Sequence, residues 1–138
     1  MQQLSDPKRM EFFEGRARLI EFPVKAESRG SLIPFTFAQL PFPPRHAFTV
    51  RGVPAGVTRG KHALRNTQQL LICLAGRLSV QLRAGGRSET VELDRPDIGL
   101  FIAENMWSAQ TYLTAETIML ALASAPYDPR NYMAEPSN

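Results

Sequence analysis

Eleven prolines and nine glycines are spread through the 138 residues. The apolar residues between them fall into short runs with no sustained 3.6-residue period, and this punctuation limits the fold more than any other feature. Strands are expected over 17–24, 30–35, 45–51, 59–64, 68–74, 77–82, 88–93, 98–102, 106–112 and 117–124. The breaks between them carry turn chemistry: Pro54-Ala55-Gly56, Ala75-Gly76, Gly85-Gly86 and Asp94-Arg95-Pro96-Asp97. Glycine supplies positive φ and proline pre-sets a turn. Many short strands at this spacing point to an all-β sandwich or barrel. A βαβ arrangement needs amphipathic helices between strands, and there is no room for them.

Alternation is clearest in Leu78-Ser79-Val80-Gln81-Leu82 and Thr90-Val91-Glu92-Leu93, which read as a hairpin around Gly85-Gly86 with one buried and one wet face. Leu70-Leu71-Ile72-Cys73-Leu74 is apolar at every position, as a central strand covered on both faces is. Pro41-Phe42-Pro43-Pro44 cannot continue a ladder and reads as a stiff connector. The length suits one domain spanning 1–138. Segments 1–16 and 125–138 look peripheral.

No stretch approaches the roughly 20 apolar residues of a membrane span, and the N-terminus lacks the apolar core of a signal peptide. Cys73 is the sole cysteine, so no internal disulfide can form. Together these suggest a cytoplasmic protein without a membrane role. The net charge of +3 agrees equally with an anionic ligand and with a solvated basic surface. Without an aromatic-interleaved basic stripe, nucleic acid is not an expected partner.

His46 and His62 are the only histidines, and histidine is the side chain that titrates nearest neutrality. On a strand, His62 and Leu64 share a face, which points His62 inward as a candidate base or as a hydrogen-bonded structural histidine. His46 shares its face with Phe48 and Val50 and could reach the same cavity. Arg59 and Lys61 are candidate grips for a phosphate ester, because cationic side chains, above all the arginine fork, match its oxygens. Trp107 could stack on a base or sugar, or belong to the core. A metal site needs several converging His or carboxylate ligands. With Leu64 beside His62 and no histidine near Met106-Trp107-Ser108-Ala109-Gln110, no metal and no cofactor is expected. There is no phosphate-binding loop, dinucleotide fingerprint or nucleophile elbow.

Several blocks in order then carry a resemblance: Arg29-Gly30-Ser31-Leu32-Ile33-Pro34-Phe35, Gly56-Val57-Thr58-Arg59-Gly60-Lys61-His62-Ala63, Gln69-Leu70-Leu71-Ile72-Cys73-Leu74-Ala75-Gly76, Gly99-Leu100-Phe101-Ile102, Met106-Trp107, Leu122-Ala123-Ser124 and Tyr127-Asp128. They resemble the WxcM-like sugar 3,4-ketoisomerases of the cupin superfamily, which act on dTDP-4-oxo-6-deoxyglucose. The resemblance implies an antiparallel jelly-roll β-sandwich of the RmlC type, a homodimer, and metal-free carbonyl transfer through an enediol on a dTDP-linked sugar in deoxysugar biosynthesis. His62 matches the first histidine of the family's His-Ala-His motif and Arg59 its preceding arginine. Leu64 replaces the second histidine, Phe48 stands where the family has tyrosine in the preceding strand, and Ser108 follows Trp107 where the family has histidine. The resemblance thus makes His62 and His46 the catalytic candidates and Arg59, Lys61, Trp107 and Ser108 the substrate contacts. A cupin epimerase or isomerase for a different sugar nucleotide, and a non-catalytic sugar-nucleotide-binding protein, are the alternatives.

Overall fold

The computed structural model describes residues 10–134. Two antiparallel sheets face each other. The six-stranded sheet runs β1-β2-β10-β7-β12-β5, built from Glu11–Phe12, Ala17–Glu21, Ile98–Ile102, Gln69–Ala75, Ile118–Ala123 and His46–Val50. The five-stranded sheet runs β13-β6-β11-β8-β9, from Tyr132–Met133, Val57–Leu64, Trp107–Tyr112, Leu78–Ala84 and Arg87–Leu93. A hairpin of β3 (Lys25–Glu27) and β4 (Gly30–Leu32) pairs with neither.

Period-2 alternation builds the core. Leu71 and Cys73 of β7, Leu100 of β10, Leu78, Val80 and Leu82 of β8, and Val91 of β9 meet between the sheets. The opposite residues of β7, Leu70 and Ile72, pack outward with Phe22, Phe42, Phe101 and Leu122. The covering layer is the connector after β4, whose Ile33, Phe35 and Leu40 lie against that cluster. This is why β7 is apolar at every buried position, as expected for a strand covered on both faces.

The β8–β9 hairpin closes as its alternation required: Ala84 pairs with Arg87 across Gly85 and Gly86, both at positive φ, the geometry a two-residue turn of the right twist demands. Two expectations need correcting. Of segment 1–16, residues 1–9 lie outside the described residues, but β1 pairs with β2 and Phe12 and Phe13 are buried in the core. The tail after 124 is likewise integral up to residue 134: β13 pairs with β6, Tyr132 opposite Leu64.

Candidate active site

A cavity of about 240 Å³ opens between the two sheets where the edge strand β5 faces β6. Its six-stranded wall is made of inward residues in register. Val50 pairs with Met119 and Phe48 with Ala121, and Ala121 pairs with Leu71. The opposite wall is β6 and β11, with His62 opposite Ser108 and Arg59 opposite Gln110.

Arg59 and His62 are three residues apart, so strict alternation would send them to opposite faces. A β-bulge prevents this. Ser108 faces His62 but Ala109 faces Gly60, which leaves Lys61 as the extra residue. Gly60 and Lys61 both have positive φ, +86° and +65°, and the added residue returns His62 to the face that holds Arg59. Gly60 is also needed for space, because a Cβ there would lie 2.5 Å from Gln110 Oε1.

His62 is half-buried, and its Nδ1 is enclosed with no hydrogen-bond partner among the described residues. Leaving a buried polar atom unpaired costs about 1–3 kcal/mol, so the ring sits in this position at a cost to stability. Burial pushes the imidazole below its ordinary value of 6.5, so the ring is neutral at neutral pH and able to accept a proton. The Tyr132 ring stands edge-on to it, with centroids 4.6 Å apart and planes at 73°. On β11, Gln110 Nε2 donates to Ser108 Oγ at 2.9 Å. Both side chains are buried and both line the cavity. Among the described residues no group of three His, Cys, Asp or Glu converges to hold a metal ion.

The six residues singled out in the sequence divide. His62, Arg59 and Ser108 share the cavity. His46 lines an adjoining recess with Leu64 and Asp128, next to Phe48 at 5.6 Å between ring centroids. The recess shares Phe48, Gln69 and Tyr132 with the cavity. Lys61 and Trp107 line neither. Lys61 is the exposed extra residue of the bulge. Trp107 alternates to the outer face of its sheet, packed with Ala63, Ala109 and Met133 beneath the Arg83 guanidinium at 4.4 Å. Sequence reasoning missed Gln110, Gln69 and Tyr132. Gln110 was legible, since it shares the period-2 face of Ser108; Tyr132 lies in a tail without pattern.

Comparison with known proteins fits this geometry. The family model described as FdtA, WxcM-like, C-terminal matches residues 15–138. A curated relative, the TDP-4-oxo-6-deoxy-alpha-D-glucose-3,4-oxoisomerase of Aneurinibacillus thermoaerophilus, is 29% identical over 122 residues, 88% of each chain. Among solved structures, the sugar 3,4-ketoisomerase QdtA of Thermoanaerobacterium thermosaccharolyticum, in complex with TDP, matches with a TM-score of 0.83 at 30% identity. That match covers 87% of this chain and 88% of QdtA. The rmlC epimerase of Mycobacterium tuberculosis, 23% identical with a TM-score of 0.75 over 88% of this chain and 70% of the epimerase, shares the fold. The expected RmlC-like jelly roll is therefore the architecture observed.

Proposed function

Because the chain belongs to the FdtA, WxcM-like C-terminal family, we propose that it is a sugar-nucleotide 3,4-ketoisomerase, converting a dTDP-4-oxo-6-deoxyhexose into its 3-oxo isomer. The observation that carries this reading is the neutral imidazole of His62 on the same cavity wall as Arg59.

The chemistry needs little more. A proton on C3 is acidified by the neighbouring C4 carbonyl. His62 removes it, the C–H electron pair becomes the C3=C4 bond, and the carbonyl pair moves to O4, which takes a proton to complete an enediol. Loss of the O3 proton then forms the carbonyl at C3 as the double-bond pair takes a proton at C4. Arg59 makes no ion pair among the described residues and lines the cavity, so its fork is available for a diphosphate. Ser108 and Gln110 present polar atoms to the sugar hydroxyls. His46 lines the adjoining recess and not the cavity, so no step is assigned to it, and no substrate contact is assigned to Lys61 or Trp107. The reaction proceeds by proton transfer without a metal.

A homodimer is supported by the β3–β4 hairpin, which pairs with no other strand among the described residues and whose Leu32 is exposed. No helix among the described residues is long and apolar enough to cross a membrane.

Two experiments test the reading. Incubated with dTDP-, UDP- and GDP-linked 4-oxo-6-deoxyhexoses, the protein should give a 3-oxo product from the dTDP sugar, identified by NMR. Turnover of only a UDP or GDP sugar would move the substrate class, and epimerised product would move the reaction. Arg59→Leu should weaken TDP binding by roughly 10–100-fold, the loss of one charge-assisted hydrogen bond worth about 1.5–3 kcal/mol. It should raise KM far more than it lowers kcat. Unchanged calorimetric affinity for TDP would remove Arg59 from the diphosphate site.

A further inference from the structure

A base on carbon is half of an enediol isomerisation. As the C3 proton leaves, negative charge gathers on O4, and a proton donor there lowers the barrier. The residues lining the cavity with exchangeable protons, besides His62, are Arg59, Gln69, Gln110, Ser108, Tyr112 and Tyr132. A guanidinium does not deprotonate in a protein, and an amide is no acid. The Ser108 hydroxyl, an alkyl alcohol, is too weak an acid to serve without a base hydrogen-bonded to it, and among the described residues its oxygen bonds only Gln110 Nε2. Tyr112 is fully buried with its hydroxyl directed to Met119 Sδ at 3.8 Å. It also sits four residues along β11 from Ser108, the partner of His62, or ~13 Å at the rise of a strand.

Tyr132 differs on each point. It pairs with Leu64, two residues from His62, and its ring touches the imidazole. It lines both the cavity and the adjoining recess, and its hydroxyl has no hydrogen-bond partner among the described residues. Its backbone is pinned on both sides: Arg65 N donates to Asn131 O at 2.7 Å and Met133 pairs with Ala63, while the preceding turn Pro129–Asn131 is capped by Asp128, which accepts from Arg130 N at 3.0 Å.

We propose that Tyr132 is the acid partner of His62, transferring protons to and from the sugar oxygens while His62 serves the carbons. In the first half-reaction His62 takes the C3 proton, the C3–H pair forms the C3=C4 bond, and the Tyr132 phenol protonates O4. The products are a neutral enediol, an imidazolium and a phenolate. In the second, the phenolate takes the O3 proton, the C3 carbonyl forms, and the double-bond pair takes the imidazolium proton at C4. Both residues return to their starting states. A phenol is protonated at neutral pH between turnovers, and the imidazolium made at each turnover favours the phenolate beside it. The inference rests on the isomerase reading above.

The test is Tyr132→Phe, alone and combined with Leu64→His, assayed on dTDP-4-oxo-6-deoxyglucose with TDP affinity measured in parallel. The single variant should lose about 10²–10⁴-fold in kcat, the worth of one acid–base group, with TDP affinity retained. Because residue 64 lies directly across from residue 132, an imidazole there can supply the missing proton. Partial recovery in the double variant supports the role and is beyond a ring that only fills space. Parental kcat in Tyr132→Phe would overturn the proposal, as would a loss of TDP affinity equal to the loss of rate. A parent chain that binds TDP and never isomerises would instead remove the isomerase reading itself, and this inference with it.

Discussion

His62→Ala should lower kcat on dTDP-4-oxo-6-deoxyglucose by at least about 10²–10⁴-fold, the usual worth of a positioned general base, while TDP still binds. The reason is local. Among the described residues that line the cavity, the imidazole is the only group neutral at pH 7 and basic enough to take a proton from carbon. Burial holds its pKa below 6.5, so the acid limb of kcat/KM should fall below pH 6.5. The same shift makes a stability prediction. The unfolded chain, with an ordinary imidazole, binds more protons than the folded one in the window just below pH 6.5. Stability is therefore complete above that value and declines as pH falls through the window. His62→Ala should flatten this decline in urea titrations at successive pH values. An unchanged slope would mean that the imidazole is not shielded as described.

Gly60→Ala should be the second large effect, and it separates the bulge from the chemistry. At φ +86° an alanine is strained by about 1–2 kcal/mol, which for a chain of this size lowers Tm by roughly 3–8 °C. Its Cβ would also meet Gln110 Oε1 at 2.5 Å, displacing the side chain that fixes Ser108 and shifting the strand that aligns Arg59 with His62. A displacement near 1 Å can cost on the order of 10²-fold in rate. Gly85→Ala is the control. Gly85 also has positive φ, but a Cβ there meets nothing within 4 Å and the residue sits in the β8–β9 turn. It should lower Tm comparably and leave kcat/KM unchanged. Equal activity in the two variants would show that the bulge does not position the site.

The contrast between these glycines marks what the sequence makes legible. The Gly85-Gly86 turn is announced by alternating runs on both sides, and the depth of β7 by its unbroken apolar composition, because both are consequences of period 2. The Gly60-Lys61 bulge breaks that period, and a pattern argument that assumes it cannot see where the break falls. His62 was placed inward by its spacing from Leu64, but the shared face with Arg59 depends on the extra residue. Trp107 lies away from the cavity, in a buried apolar cluster as its core reading allows, for a related reason. In β11 the polar set Ser108 and Gln110 faces inward because it borders a cavity, while Trp107 is buried outside beneath Arg83 and Met133. Polarity and burial run opposite to the usual sense in a sandwich strand. Tyr132 belongs to a two-residue strand, too short for any period, in a tail whose prolines and polar residues read as a loop.

The most direct measurement is proton NMR of dTDP-4-oxo-6-deoxyglucose incubated with the protein in heavy water, with His62→Ala alongside. The account predicts loss of the C3 proton signal, appearance of a 3-oxo sugar with deuterium at C4 wherever the His62 imidazolium exchanges with solvent before the proton returns, and neither change with the variant. A substrate that binds, as seen by broadened signals, but keeps its C3 proton indefinitely, or one that exchanges equally well with His62→Ala, would contradict it.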